Sequence, residues 1–322
     1  MNSTLKSLCK VNPGTIIEGK WHHNRYTILK ELGYGANGIV YLAQFRNQKV
    51  ALKMSDNGMS ITSEVNVLKS FAKVQGSSLG PSLIDVDDWV RRNQNVSFYV
   101  MEYIEGPDLL AFINQKGKSW TEVLILQLLK DLHTLHEKGW VFGDLKPENL
   151  IVMGPPPKVR CIDVGGTTIQ GRAIKEFTEF YDRGYWGLGT RKAEPTYDIF
   201  AVAMILINTE YPKRFNKTDG GIQQLERMVT QKTELRKFES VILKALQGKY
   251  ATAQEMRLDM LQNISSSTVK TSQPPKSKAT RTGTTTQTRQ MYRKRKGGWV
   301  ETVIIIMIIS FLYIMYIYGQ II

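Results

Sequence analysis

Three side chains in Phe142-Gly143-Asp144-Leu145-Lys146-Pro147-Glu148-Asn149 carry the groups that phosphoryl transfer requires. Asp144 supplies a carboxylate to orient and accept from a hydroxyl, Lys146 a cation for the moving phosphate, and Asn149 an amide oxygen for a divalent ion. Other residues extend the set. Gly33-Tyr34-Gly35-Ala36-Asn37-Gly38-Ile39-Val40 is a glycine-rich run, and Val50-Ala51-Leu52-Lys53 ends an apolar stretch on a cation. Glu64 follows as a possible partner for Lys53, Asp163-Val164-Gly165 adds a carboxylate at a turn, and Asp198 opens a long apolar run. Each is weak alone. A glycine triplet can be a turn, a lone Lys or Glu a solvated charge, Asp-x-Gly an ordinary turn, and Asp198 a helix N-cap. Their order along the chain gives them joint meaning.

The elements that must position these residues follow from the apolar pattern. Tyr26–Leu32, Gly38–Phe45, Lys49–Met54 and Val96–Met101 read as strands, and Ile61–Phe71 as a short helix. The glycines therefore lie between two strands. That excludes the dinucleotide fingerprint, which joins a strand to a helix, and suits a hairpin lying over nucleotide phosphates. Leu109–Asn114 and Trp120–Lys138 are predicted helices, the second with a wide leucine face. Short strands at Leu150–Val152 and Val159–Ile162 flank the turn Gly154-Pro155-Pro156-Pro157. Tyr197–Asn208 reads as a buried helix, followed by Ile222–Thr230, Leu235–Leu246 and Ala253–Ile264. There is no internal repeat.

A chain of 322 residues can bury a substantial core, and its hydrophobic and charged fractions of 42% and 22% are those of a globular protein. Cys9 and Cys161 are too few and too distant for a disulfide framework or a metal spacing, and read as reduced thiols, Cys161 buried. His22, His23, His133 and His136 find no cysteine or acidic cluster in the sequence to complete a metal site, and read as surface or core histidines. No secretory signal opens the chain. The net charge of +14 is uneven. Residues 264–296 hold Lys270, Lys276, Lys278, Arg281, Arg289, Arg293, Lys294, Arg295 and Lys296 with no acid, in a Ser/Thr-rich setting that has too little apolar surface to fold. An anionic partner, nonspecific DNA or anionic lipid, suits that segment; orientation of a membrane anchor is the plainer alternative. From Trp299 the chain is apolar enough to cross ~30 Å of hydrocarbon at ~1.5 Å per residue. The adjacent Arg293–Lys296 places the linker and everything before it on the cytoplasmic side.

The ordered motifs resemble those of the eukaryotic-like (Hanks-type) bacterial Ser/Thr protein kinases over about residues 26–263. The resemblance implies an α+β bilobal fold. A small β-rich N-lobe would span about 26–101 and a mainly helical, reduced C-lobe about 104–263. An N-terminal extension, 1–25, would precede them, and a flexible linker, 264–296, and a transmembrane anchor, 299–322, would follow. It implies ATP with Mg²⁺, or Mn²⁺, and protein substrates. It assigns Asp144 as catalytic base, Lys146 to the γ-phosphate, Asn149 and Asp163 to the metal, and Lys53–Glu64 as the activating ion pair. Gly33, Gly35 and Gly38 would cover the phosphates. Val40, Ala51 and Ile151 would sandwich the adenine, with Glu102 and Tyr103 as the hinge and Asp198 bracing the catalytic loop.

The chain also departs from that pattern. Phe142-Gly143 stands where the family has His-Arg, which removes the cation that commonly meets an activation-loop phosphate and implies activation by other means. Phe142 keeps a ring that can stack on Val164 and Leu68. The link from Lys53 to Glu64 is short. No Ala-Pro-Glu follows Asp163; Glu176–Trp186 takes its place and would build the peptide-docking floor differently. Gly143-Asp144 also resembles small-molecule phosphotransferases of the same ancestry, an alternative that Lys146-Pro147-Glu148-Asn149 opposes. A catalytically dead membrane scaffold is a second alternative, opposed by the presence of Lys53, Asp144 and Asp163. Kinase, basic linker and terminal anchor together resemble the membrane-anchored sporulation kinases of bacilli. That implies action at the cytoplasmic face during sporulation and contact with DNA; autophosphorylation is expected at the linker hydroxyls of 265–268 and 280–288.

Overall fold

The computed structural model describes residues 8–35, 38–72, 79–218 and 220–271. The chain divides after Gln273 into two units, and the described residues belong to the first. Ala36 and Asn37 of the glycine run, the cations from Lys276 to Lys296 and the expected anchor at 299–322 lie outside the described residues.

The N-terminal half is a six-stranded sheet in the order β1-β2-β3-β4-β6-β5. Its strands are β1 (Ile16–Glu18), β2 (Arg25–Gly35), β3 (Gly38–Phe45), β4 (Gln48–Ser55), β5 (Leu83–Arg91) and β6 (Gln94–Glu102). All its pairings are antiparallel, and β2 and β3 meet at the Gly35–Gly38 hairpin. Helix α1 (Gly58–Ala72) starts directly after β4. The Asn57 carboxamide oxygen accepts from the Met59 and Ser60 amides at 3.1 and 3.3 Å, so the turn into the helix is capped within three residues. That is how so short a link from Lys53 still delivers Glu64 to the sheet.

Two strands of this sheet, β1 and β5, escape the apolar pattern. β5 holds Asp85, Asp87 and Asp88, and Asp85 and Asp87 are buried. Residues of the N-terminal extension satisfy them. The Asp87 carboxylate accepts from the Trp21 and His22 amides, and Asp85 from Asn24 and Tyr26, with His22 Nδ1 2.7 Å away. The Lys20 amide donates to the Asp88 carbonyl at 2.7 Å, so the chain leaving β1 reaches the opposite edge of the sheet. Leu8, Cys9, Val11 and Ile17 are buried in the same core as Tyr26, Tyr41 and Phe98. The extension is thus part of the sheet domain. His22, Asp85 and Asp87 form the one histidine–acid group among the described residues able to face a metal. No local pattern announces it, because its members His22 and Asp85 lie 63 residues apart. The amide, carboxamide and hydroxyl donors above already occupy its carboxylates.

The C-terminal half is helical, with α2 (Leu109–Lys116), α3 (Ser119–Glu137), α4 (Arg183–Trp186), α5 (Pro195–Glu210), α6 (Ile222–Gln231), α7 (Thr233–Arg236), α8 (Glu239–Leu246) and α9 (Ala253–Thr271). The expected helix Leu235–Leu246 is broken at Lys237-Phe238 into α7 and α8. The last helix continues to Thr271, so residues 264–271, read as flexible linker, are helical, and Lys270 lies on that helix. Among the described residues no helix is long and apolar enough to cross a membrane. α5 is buried almost end to end, from Tyr197 to Asn208, which explains its unbroken apolar run. Two small ladders, β7 (Trp140–Val141) with β10 (Thr168–Ile169) and β8 (Leu150–Met153) with β9 (Lys158–Cys161), carry the loops of the site. The main core runs through both halves, from Leu68 and Phe71 of α1 to Phe142, Val164 and the whole of α5.

Candidate active site

A cavity of about 410 Å³ lies between the sheet and the helical half. Gly33, Gly35 and Gly38 line it from the β2–β3 hairpin, Val40 and Ala51 from β3 and β4, and Ile151 from β8. Glu102 and Tyr103 close the connection between the halves, and Lys53, Asn149 and Asp163 form its polar end. Apart from Lys146, assigned to the γ-phosphate, every residue assigned from the sequence to nucleotide or metal lines this cavity. Met101, Ile104 and Ile162 complete its apolar wall, a contribution that apolar residues in strands do not announce.

Lys53 Nζ lies 2.6 Å from Glu64 Oε2, and the two side chains are only 9% and 4% exposed. Two residues the sequence did not suggest hold the glutamate. Tyr99 donates its hydroxyl to Glu64 Oε2 at 2.7 Å, and Ser60 to Oε1 at 3.3 Å. A buried ion pair needs these extra donors, because desolvation offsets much of the Coulombic gain. The Glu102 side chain is engaged by protein partners. Arg160 from β9 grips it at 3.1 and 2.9 Å, and the Ser82 amide donates to it at 3.1 Å. Burial pushes the Glu102 carboxyl up, but the Arg160 and Ser82 hydrogen bonds outweigh it and leave the carboxyl below its usual range. With its carboxylate held by Arg160 and Ser82, the backbone is the part of Glu102 suited to a ligand.

Asp144 lies just outside the cavity lining. Lys146 Nζ bonds its Oδ2, and the Thr178 hydroxyl donates to Oδ1 at 3.0 Å. Lys146 also reaches the Thr178 oxygen at 3.3 Å. Thr178 was missed because it sits in the aromatic stretch that replaces the family's usual motif. The Asn149 side-chain nitrogen donates to the Asp144 carbonyl at 3.0 Å, which leaves its oxygen as the free end. With the Asp163 carboxylate, that oxygen forms a hard, all-oxygen donor set of the kind Mg²⁺ and Mn²⁺ prefer. The residues present thus fit the metal that the family resemblance implies.

Asp198 is fully buried in the first turn of α5, whose N-cap is Glu194 rather than Asp198. Its carboxylate accepts from the Phe142 and Gly143 amides at 2.7 and 2.9 Å, with His136 Nε2 2.9 Å away. His136, read only as a surface or core histidine, completes this brace. Phe142, Val164 and Leu68 are buried in one core. Gly143 has φ +86°, and a Cβ there would stand 2.7 Å from the Gly166 carbonyl oxygen. No side chain fits at the position where the family pattern has arginine.

The segment after Asp163 is anchored by other means. β10 pairs with β7, the Ile174 amide donates to the Arg191 carbonyl at 2.8 Å, and Lys175 Nζ donates to Ser63 on α1 at 3.1 Å. Fully buried Asp182 caps α4 by accepting from the Gly184 and Tyr185 amides, and also accepts from Arg191 Nε and the Tyr197 hydroxyl. Arg183 ties Thr190, Thr196 and Glu194 together. Phe180, Trp186 and Phe215 pack edge to face. Glu176 enters the cavity beside Asp163. Burial first, then the Asp163 charge, raise its carboxyl above the usual range.

A glycine hairpin over a cavity, a buried Lys–Glu pair and an Asp–Lys–Asn catalytic loop define a phosphotransferase of the protein-kinase fold. Comparison with known proteins agrees. Residues 26–273 match the protein kinase domain family, and the chain belongs to it. It is 51% identical over 333 aligned positions, covering 98% of both chains, to the serine/threonine-protein kinase YabT of Bacillus subtilis strain 168. It is 33% identical to a probable serine/threonine-protein kinase of Clostridium perfringens over 42% of this chain and 20% of that one. A putative cyclin-dependent kinase of Oryza sativa subsp. japonica is 26% identical over 56% of this chain and 61% of its own. The chain is a serine/threonine-protein kinase of the Hanks type that resembles YabT.

Proposed function

We propose that the chain binds ATP with Mg²⁺ in the cavity and transfers the γ-phosphate to Ser and Thr hydroxyls of proteins, itself included. Asp144 orients the acceptor hydroxyl and takes its proton. Lys146 stays beside the travelling phosphate, and Lys53, fixed by Glu64, holds the nucleotide phosphates. Asn149 and Asp163 would hold the metal, which would supply positive charge against the phosphates. The observation that supports this most is the Thr178 hydroxyl bonded to both Asp144 and Lys146, since it shows that a hydroxyl oxygen fits between base and cation. Labelled ATP with the full-length protein and a protein acceptor tests it. Label should fall on Ser and Thr and drop about 10²–10⁴-fold in Asp144→Asn, the usual worth of a general base. Label found only on sugar or aminoglycoside-like acceptors overturns it.

The same reading places the kinase at a membrane. Residues 299–322 anchor it, and the basic segment 264–296 remains on the cytoplasmic side, where it meets nonspecific DNA or anionic lipid and tunes activity. Support comes from the apolar run, the flanking Arg293–Lys296 and nine cations without an acid. Purely electrostatic binding weakens steeply with salt. Retention of the protein in a carbonate-washed membrane fraction tests the anchor. Binding of DNA or anionic vesicles that survives deletion of 264–296 overturns the role of the segment.

A further inference from the structure

We propose that a second cavity, beside Thr178, receives the acceptor chain next to its hydroxyl, and that Arg214 there selects acceptors carrying a carboxylate over those carrying a cation; the inference rests on the kinase reading above. The cavity measures about 300 Å³ and is lined by Thr178 and Glu179, by the rings of Phe180, Tyr185 and Phe215, and by Arg214. Thr178 donates its hydroxyl to Asp144 at 3.0 Å, so a chain seated in this cavity runs past the catalytic base. The walls are fixed. Phe215 packs edge to face on Phe180 and Trp186, and the Lys217 amide and Nζ donate to the Tyr185 hydroxyl and carbonyl at 3.2 and 3.1 Å.

Charge decides what such a cavity takes. The loop that supplies Arg214, residues 211–217, holds Lys213, Arg214 and Lys217 and no acid. Glu148, just past Asp144 on the catalytic loop, is a carboxylate that could draw an acceptor's cation. Arg214 Nη2 already pairs with it, and the guanidinium lies over the Tyr181 ring at 5.0 Å. Glu148 is thereby closed to an incoming cation. Arginine carries five N–H donors in a planar fork that fits a carboxylate, and one ion pair does not exhaust them. The Arg214 and Glu148 side chains are 37% and 57% exposed, so water screens their pair and an acceptor carboxylate can join or replace Glu148 at little cost. Aromatic walls of low dielectric strengthen the new contact. Glu179, the other charged residue of the lining, interacts electrostatically with Arg191. The chain's own cation-rich segment reaches the site through its covalent attachment, which raises its effective concentration, and not through this cavity.

Peptide acceptors are the probe. A set with one Ser, in which Glu, Gln or Arg stands in turn at each flanking position, is phosphorylated by the full-length protein with labelled ATP, and kcat/KM is read for each. Wild type should favour Glu over Arg about tenfold or more at the position that reaches the cavity, with Gln between them. Arg214→Met keeps the stem, removes the charge and frees Glu148; the preference should reverse to Arg while the KM for ATP does not move. Where Arg214→Met lacks a wild-type thermal midpoint, Glu148→Gln carries the test, since it frees Arg214 and should sharpen the preference for Glu. Equal use of Glu and Arg peptides by wild type, a Glu preference that survives in folded Arg214→Met or fails to rise in Glu148→Gln, or label on protein acceptors but on no peptide overturns the proposal and leaves the kinase reading intact. A wild-type protein that labels neither peptide nor protein sinks the kinase reading itself.

Discussion

Lys53 and Asp182 are both buried charged centres of this enzyme, and they are held in different ways. Lys53 is fixed by side chains: Glu64, and behind it Tyr99 and Ser60. Asp182 is fixed mainly by its own neighbourhood, accepting from two local amides, Arg191 and Tyr197. The nucleotide side needs particular residue types at particular places, because phosphates and a metal must meet a cation and oxygens. The acceptor side needs a rigid floor, and many sequences can build one. Chemistry dictates the residue types of the first, whereas the second can be built in more than one way, as Glu176–Trp186 in place of the family's motif illustrates.

The largest effect is expected on the nucleotide side. Glu64→Gln leaves a buried lysine with no anionic partner and should cost about 3–5 kcal/mol of stability. It should lower turnover and raise the KM for ATP, with the KM for a protein acceptor unchanged. An acceptor KM that moves equally would erase the division between the two sides. Gly143→Arg restores the family pattern in name only. A side chain at φ +86° against the Gly166 carbonyl should cost about 2–4 kcal/mol, read as a lowered thermal midpoint. Phosphorylation should not rescue it.

Asp182→Asn should cost less, about 1.5–3 kcal/mol, the worth of hydrogen bonds to a charged group. It should raise the KM for the protein acceptor and spare that for ATP, the opposite split from Glu64→Gln. The smallest effect lies at the sheet edge. The hydrogen bond to Asp85, followed by the Asp85 charge, raises the His22 imidazolium above its ordinary 6.5. Because the folded value is the higher one, this stabilisation is complete below pH 6.5 and is lost as pH rises through the raised value. Thermal midpoints of wild type and His22→Gln should differ most in mild acid and converge above neutrality. A gap that widens with rising pH would contradict that assignment.

These two sides were unequally legible in the sequence. Gly33, Lys53, Glu64, Asp144, Asn149 and Asp163 announce themselves because each must be that residue type and their order is fixed by the chain path through the cavity. Val40, Ala51 and Ile151 followed from that register. Thr178, His136 and Tyr99 did not, since each acts through a partner far along the chain that no local pattern reveals. β5 was invisible for the same reason: its aspartates look solvent-bound until residues 20–26 fold over them. The break between α7 and α8 falls within a continuous apolar run, where periodicity carries no stop signal.

The claim that this site is assembled without an arginine–phosphate latch is open to one direct measurement. The full-length protein, stripped of phosphate by a phosphatase that is then removed, is mixed with labelled ATP, Mg²⁺ and a protein acceptor, and the initial rate is followed. Transfer should be linear from the first time point and vanish in Asp144→Asn. A lag that disappears when the kinase is first allowed to phosphorylate itself would contradict it.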